Sequence, residues 1–342
     1  MSTTRRTAAR ILGIDGIPIV TALVLVTAYF AATVPAFLDG EGLRYYLNEE
    51  VPIFIITAGL ALVIIAGGID LSIGAVLGLS AGTSLLSSMH GASVILAVLV
   101  GVGTGAAFGL LNGLVIVKLK LNDFIVTLGT LNIAAGLLVV LTDHVQITGT
   151  DDAHYLAIAN RSILSVSSAL VLAVVVVAVL QAVLVKTAFG RRVRASGAGA
   201  SPALVAGVDA GRIKLYAYVV SGSLAGFGGV LLASRLNSVQ PGMAGGYELS
   251  AIAAAVLGGV SLAGGRGAIW QAAVGGLLLA TLKQGFRLTG MDPLVFSIII
   301  GVCILVGVIV DRSVYRLALT LGSRASVPAR TEPAPAGGGP GQ

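Results

Sequence analysis

The chain has 342 residues, of which 56% are hydrophobic and only 11% charged, and it carries a formal net charge of +6. A water-soluble domain holds about a quarter charged residues, so this composition excludes a globule with a wholly aqueous surface and calls for a lipid bilayer. Nucleic acid is excluded as the partner of the basic residues, because they flank apolar spans, where they set orientation.

Along the chain, Arg5, Arg6 and Arg10 precede the first apolar stretch. That stretch is long enough to span, and no small-residue cleavage site follows it cleanly. We therefore expect a cytoplasmic segment at 1–16 and a retained helix at 17–37. Further apolar periods predict spans at 51–69, 71–89, 93–117, 124–141, 163–185, 215–235, 248–263, 268–284 and 294–311. The expected fold is an all-α polytopic membrane protein of about ten transmembrane helices, its 47 glycines letting helices approach closely. With both termini cytoplasmic, sixteen of the 21 Lys and Arg residues fall inside and five outside (Arg44, Arg161, Arg235, Lys283 and Arg287). The outer loops then hold Asp39, Glu41, Glu49, Glu50, Asp143, Asp151 and Asp152. The transmembrane domain is taken as 17–312, and the cytoplasmic tail at 313–342, rich in Pro, Ala and Gly, is expected to be largely disordered.

Two breaks interrupt the apolar pattern. Gly67-Gly68-Ile69-Asp70-Leu71-Ser72-Ile73-Gly74 places an acid within the membrane region, where such a residue is costly unless hydrated or paired. Asp70 either contacts a solute or caps a helix that begins near Leu71. The second break runs from Gly258-Gly259 to Gly267 between short apolar segments, the pattern of an inverted repeat about a substrate site. Ser72, Asn112, Thr127, Thr130 and Asn132 lie within or beside the spans, and Glu248 opens the eighth. Neutral hydrogen-bonding groups of this kind either bond neighbouring helices or line a path for a hydroxylated solute. No Walker motif, metal-ligand cluster or catalytic constellation is present, and the pattern calls for no cofactor and no enzymatic activity. Cys303, the single cysteine, sits in an apolar run and reads as a packing residue.

The longest inner loop, 187–214, has structure of its own. Ser201-Pro202 reads as an N-cap followed by Pro at the first helical position, with a short helix to Val208 and Gly211 as its stop. Leu204, Val205 and Val208 form an apolar stripe on it, which fits a protein partner, the membrane surface or the bundle itself.

Gly68-Ile69-Asp70-Leu71-Ser72-Ile73-Gly74, Phe124-Ile125-Val126-Thr127-Leu128-Gly129-Thr130, and Gly246-Tyr247-Glu248-Leu249 with Ala251-Ile252-Ala253-Ala254 and Gly258-Gly259 stand in this order. Together they resemble the motifs of ribose-type ABC transporter permeases over about residues 20–312. The resemblance implies two permease subunits, as a homodimer or heterodimer, driven by separate cytoplasmic ABC ATPase subunits. It also implies an extracytoplasmic solute-binding protein that delivers a monosaccharide. The segment 190–214 would couple the ATPase to the pore, with Gly197, Gly207 and Val208 matching the family's coupling segment. Gly199, Pro202, Ser250 and Asn122-Asp123 depart from its usual residues. The remaining readings are a permease for a nucleoside or branched-chain amino acid, and a self-sufficient secondary transporter.

Overall fold

The computed structural model describes residues 16–163, 166–205, 207–292, 294–306 and 309. The N-terminal arginines, the tail at 313–342 and the last residues of the expected span 294–311 lie outside the described residues.

Helix α1, Ile17–Thr33, starts with Pro in its first turn and is followed by a 3-10 turn, Pro35–Leu38. Helix α2 runs Gly40–Ile65. It begins eleven residues before the expected start at 51, because Asp39 caps it, accepting the Gly42 N–H at 3.4 Å. Pro52 lies inside the helix rather than at its start. Glu49 and Glu50 are thus helical, not loop, residues. A helix that is apolar all round belongs in the interior, and 89% of the most apolar window of α2 is buried, against 22% for α4 and α7 and 28% for α5.

Against α2 pack α7 (Ser168–Lys186), α10 (Ala210–Leu236) and α12 (Ile269–Leu288), with α3 (Ile73–Met89) beside it; α4 (Val94–Leu119) packs against α3 and α10, and α5 (Asp123–Leu141) against α3 and α4. Among the described residues five helices, α2, α4, α5, α7 and α10, are long and apolar enough to cross a bilayer by length and composition. Between α5 and α7 lies α6 (Ala153–Asn160), with β1 (Ile147–Thr148) before it and the hairpin β2–β3 (Ser162–Ile163, Val166–Ser167) after it. Strand β1 pairs antiparallel with β4 (Ser238–Val239), Ile147 opposite Val239, and so ties this loop to the end of α10. The hairpin takes the first residues of the expected span 163–185, so α7 starts at Ser168, with the Ser167 hydroxyl accepting the Leu170 N–H at 3.2 Å.

The closest packing joins α4 to α10. Gly101, Gly105, Gly109 and Gly113 recur every fourth residue of α4 and face Leu215, Tyr218, Gly222, Gly226 and Val230 of α10. A Cβ on Gly105 would strike the Gly222 carbonyl, and one on Gly222 the Gly105 carbonyl. Two backbones touch, as small residues at fourfold spacing permit in membranes.

The expected span 248–263 is only α11, Tyr247–Leu257. Eleven residues rise about 16 Å, half of a hydrocarbon core of about 30 Å. The helix stops at Gly258-Gly259, where Gly259 has φ +91°. Residues 258–268 then loop back into α12. Helix α13, Leu294–Val306, closes the described chain.

Candidate functional site

Helix α2 is ended by Gly67, whose φ of +83° suits only glycine without strain, and the Gly68 N–H turns back to the Val63 carbonyl at 2.9 Å. Residues 68–72 then form no regular element, bending at 71–72, until α3 starts at Ile73 with Ser72 as its N-cap. Asp70 is therefore not the helix cap. Its Oδ1 instead accepts the Ser72 N–H at 3.0 Å and the Ser72 hydroxyl at 2.6 Å. Ser72 Oγ accepts Asn112 Nδ2 at 2.9 Å, and Asn112 Oδ1 accepts the Thr130 hydroxyl at 2.7 Å. One continuous chain of hydrogen bonds thus links α5, α4, α3 and the break. Thr127 joins beside it, donating to the Asp123 carbonyl at 2.8 Å and lying 3.5 Å from the Ile69 carbonyl.

Asp70, Ser72, Asn112, Thr127 and Thr130 are all at most 5% exposed. Five residues predicted from sequence as separate candidates are one sealed network. Buried polar groups need such mutual satisfaction, since an orphan costs about 1–3 kcal/mol. The same region contains residues that the sequence reading did not single out as site residues. Tyr218 OH lies 2.8 Å from the Ile69 carbonyl and 3.0 Å from Asp123 Oδ2, both able to accept its proton. Lys214 Nζ is 2.6 Å from that Asp123 oxygen. Lys214 and Tyr218 stand four apart on α10, one face of a helix, which is the pattern that could have marked them.

Glu248 and Asn132 lie apart from this network. The turn 240–246 leads into α11 through Gly242 (φ +75°), Ala244 (φ +67°) and Gly246 (φ +86°). Glu248 Oε1 accepts the Gly246 N–H at 3.2 Å, and a side chain at Gly74 would collide with its carboxylate. With Ala75, Leu131 and Ala135, Glu248 lines a cavity of about 80 Å³ between α3, α5 and the turn. Asn132 is exposed on α5, and its Nδ2 donates to the Leu128 carbonyl at 2.9 Å. Its neighbours Gly129 and Gly136 face open space.

On the other side of the same turn, a cavity of about 180 Å³ lies between α2, α11, α12 and α13. Glu50 and Lys283 line it, their ion pair closing at 2.5 Å, and Arg287 Nη1 sits 3.0 Å from Glu49 beside them. These charges counted only as outer charges in the sequence. Lys283 and Arg287, four apart on α12 and matched to Glu49-Glu50, carry the pattern that could have paired them.

At the Gly67 end of the bundle the two glycine breaks meet. Gly265 N–H donates to the Ile65 carbonyl at 2.9 Å, and Gly67, Gly197 and Gly264 are in backbone contact. Gly197 closes α8, Ala188–Gly197, whose start the Thr187 hydroxyl caps by accepting the Gly190 N–H at 3.2 Å. Helix α9 runs Ala200–Val205, so Ser201 and Pro202 lie within it and are not its cap and first residue. It stops at Gly207 (φ +62°), not at Gly211, which is part of α10. The Val208 N–H bonds the Ala203 carbonyl at 2.9 Å and the Gly207 N–H the Leu204 carbonyl at 3.0 Å, a left-handed glycine stop. The expected stripe divides accordingly. Leu204 and Val205 are 80% and 90% exposed, whereas Val208 packs against the core.

The profile of the family described as "Branched-chain amino acid transport system / permease component" matches residues 43–308. A ribose import permease protein of Bacillus subtilis (strain 168) is 38% identical over 279 residues, covering 81% of this chain and 87% of that one. An L-arabinose transport system permease protein of Escherichia coli (strain K12) is 32% identical, covering 85% and 87%. A fructose import permease protein of Rhizobium meliloti is 31% identical, covering 88% and 86%.

Proposed function

The chain belongs to the branched-chain amino acid transport system / permease component family, and from that membership we infer that it is the membrane-spanning permease subunit of an ABC importer for a monosaccharide. The observation that carries the sugar is the 38% identity, over four-fifths of the chain, to a ribose import permease. Arabinose, allose and fructose permeases among the other relatives support the same solute class.

On this reading the Gly67 end of the bundle is cytoplasmic and the end with Asp39 and Glu49 faces out, with ten spans and both termini inside. The basic residues of 186–214 against the acids of the other end support that polarity. The chain supplies no ATP hydrolysis itself, and separate ATPase subunits dock on α9. Leu204 and Val205 form the docking tip, since two such exposed aliphatic side chains on a six-residue helix gain by burial against a partner. Gly197, Ser201, Pro202, Gly207 and Val208 shape that helix and its hinge to the two glycine breaks.

The solute moves by alternating access along the exposed face of α5, past Gly129, Asn132 and Gly136 and beside Glu248. A second permease subunit covers this face. A carboxamide facing lipid in mid-helix is costly, and a partner helix or a water-filled path relieves it. Asp70, Ser72, Asn112, Thr127 and Thr130 join the path when the α2–α3 break rearranges. An extracytoplasmic binding protein loads the outer end, and the assembly sits in the cell membrane.

The test is uptake into proteoliposomes. D-ribose, L-arabinose, D-allose, D-fructose and L-leucine are offered to this chain alone and to the complete mixture with ATPase, binding protein and ATP. Sugar uptake only in the complete mixture supports the reading. Uptake of leucine alone favours the amino-acid permeases that the family description names, and uptake by the isolated chain on an ion gradient overturns the ABC assignment.

A further inference from the structure

Glu50 is 4% exposed, yet only one of its oxygens is engaged. Oε1 holds the Lys283 ammonium, while Oε2 takes no hydrogen bond among the described residues. Its surroundings are the cavity of about 180 Å³ that also meets Tyr247, Ser250 and Lys283. Tyr247 lines the same cavity, close enough to Glu50 and Lys283 to feel both charges. The Lys283 side chain is 36% exposed whereas that of Glu50 is 5% exposed, and a carboxylate kept out of water within a membrane bundle is a functional candidate by default.

We propose that this cavity is a solute station, holding one small polyhydroxylated molecule inside a single permease subunit. The proposal rests on the sugar-permease reading and goes beyond it in placing a binding site away from the α5 face. Its volume is about six times the ~30 Å³ of a liquid water and below the ~300–1,000 Å³ of drug-sized pockets, which admits one sugar ring and excludes longer saccharides. Glu50 Oε2 accepts from a hydroxyl. Lys283 and Tyr247 donate to others. Ile53, Leu279 and Phe296 offer the apolar wall that a sugar's C–H face requires. Gly245 borders both this cavity and the one that holds Glu248. The turn 240–246 therefore stands between the station and the α5 path, and its movement would pass solute from one to the other.

The experiment is cysteine protection in the complete transporter in proteoliposomes, with Cys303→Ala to remove the native thiol. Ser250→Cys places a thiol on the cavity wall, and Gly40→Cys, at an exposed helix end where a Cβ meets nothing within 4 Å, serves as the control. A methanethiosulfonate reagent is applied with and without D-ribose, L-arabinose, D-allose and D-fructose. The sugar that the vesicles take up should slow modification at 250 about threefold at twice its dissociation constant and leave 40 unchanged. Glu50→Gln should remove the protection. Tyr247→Phe, which deletes only a hydroxyl on a residue lining the cavity, should weaken it and guards against a folding defect in the first variant. Uptake without protection at 250, or protection that survives both substitutions, overturns the station while the transporter reading stands. No sugar uptake in the parent complex overturns both.

Discussion

Gly105→Ala tests the packing that holds the two halves of the bundle together. The new methyl would strike the Gly222 carbonyl oxygen and lie 2.6 Å from Gly226 N and 2.8 Å from its Cα. Carbon contacts prefer about 3.5–4.0 Å, so α4 and α10 must part by about 1 Å. The three nearest obstacles are all backbone atoms, which cannot swing aside as a side chain can. A gap of about 0.5–1 Å forfeits a quarter to a half of the attraction at every contact along the seam, and overpacking of this kind costs about 1–3 kcal/mol. We expect the upper part of that range, about 2–3 kcal/mol, or a 30- to 140-fold shift in the folding equilibrium at 1.4 kcal/mol per decade. Gly103→Ala is the matched control, since a Cβ there meets nothing within 4 Å. Both variants remove a glycine from one helix and gain the same helix propensity, up to about 1 kcal/mol. The assay is unfolding of the purified chain in mixed micelles by titration with sodium dodecyl sulfate, followed by far-UV circular dichroism. Equal midpoints for the two variants would refute the seam.

Four further perturbations probe the site. Gly197→Ala would drive a methyl into the Ile65 carbonyl where the two glycine breaks meet, and should reduce both stability, by about 1–3 kcal/mol, and ATP-driven uptake; normal uptake would remove the junction from the coupling path. Leu204→Asp together with Val205→Asp changes only side chains that are 80% and 90% exposed, so the purified subunit should remain folded while ATPase binding and coupled uptake fail. Retained uptake would exclude α9 as the docking tip. Ser72→Ala deprives the Asp70 carboxylate and Asn112 of their shared partner and should lower stability by about 1–3 kcal/mol in the same titration. Asn132→Leu, on an exposed face, should leave that midpoint within about 0.5 kcal/mol and reduce uptake instead; the opposite pattern would exchange the roles of network and path.

Sequence by itself determined the environment. Apolar runs and the distribution of Lys and Arg are one-dimensional quantities, and they located the spans from 73 to 141 nearly to the residue. The motifs at 68–74, 124–130 and 246–267 were legible as a resemblance, and the profile over 43–308 bears it out. Local rules faltered where two features competed. The apolar run suggested a start at 51 that the Asp39 cap places eleven residues earlier, and Gly258-Gly259 cut a supposed span to half a membrane.

Only the tertiary structure decided which polar residues belong together. Asp70, Ser72, Asn112 and Thr130 come from three segments, the break, α4 and α5, and their order in sequence does not show that each one's donor is the next one's acceptor. It likewise set Asn132 apart from Thr130, two residues away, because a turn of 100° per residue carries one into the network and the other out of it. The ion pair of Glu50 with Lys283 spans 233 positions. Hydropathy depends on which residues neighbour one another along the chain, whereas a hydrogen bond depends on where two distant helices bring their side chains, and that is settled by glycine seams and breaks acting in three dimensions.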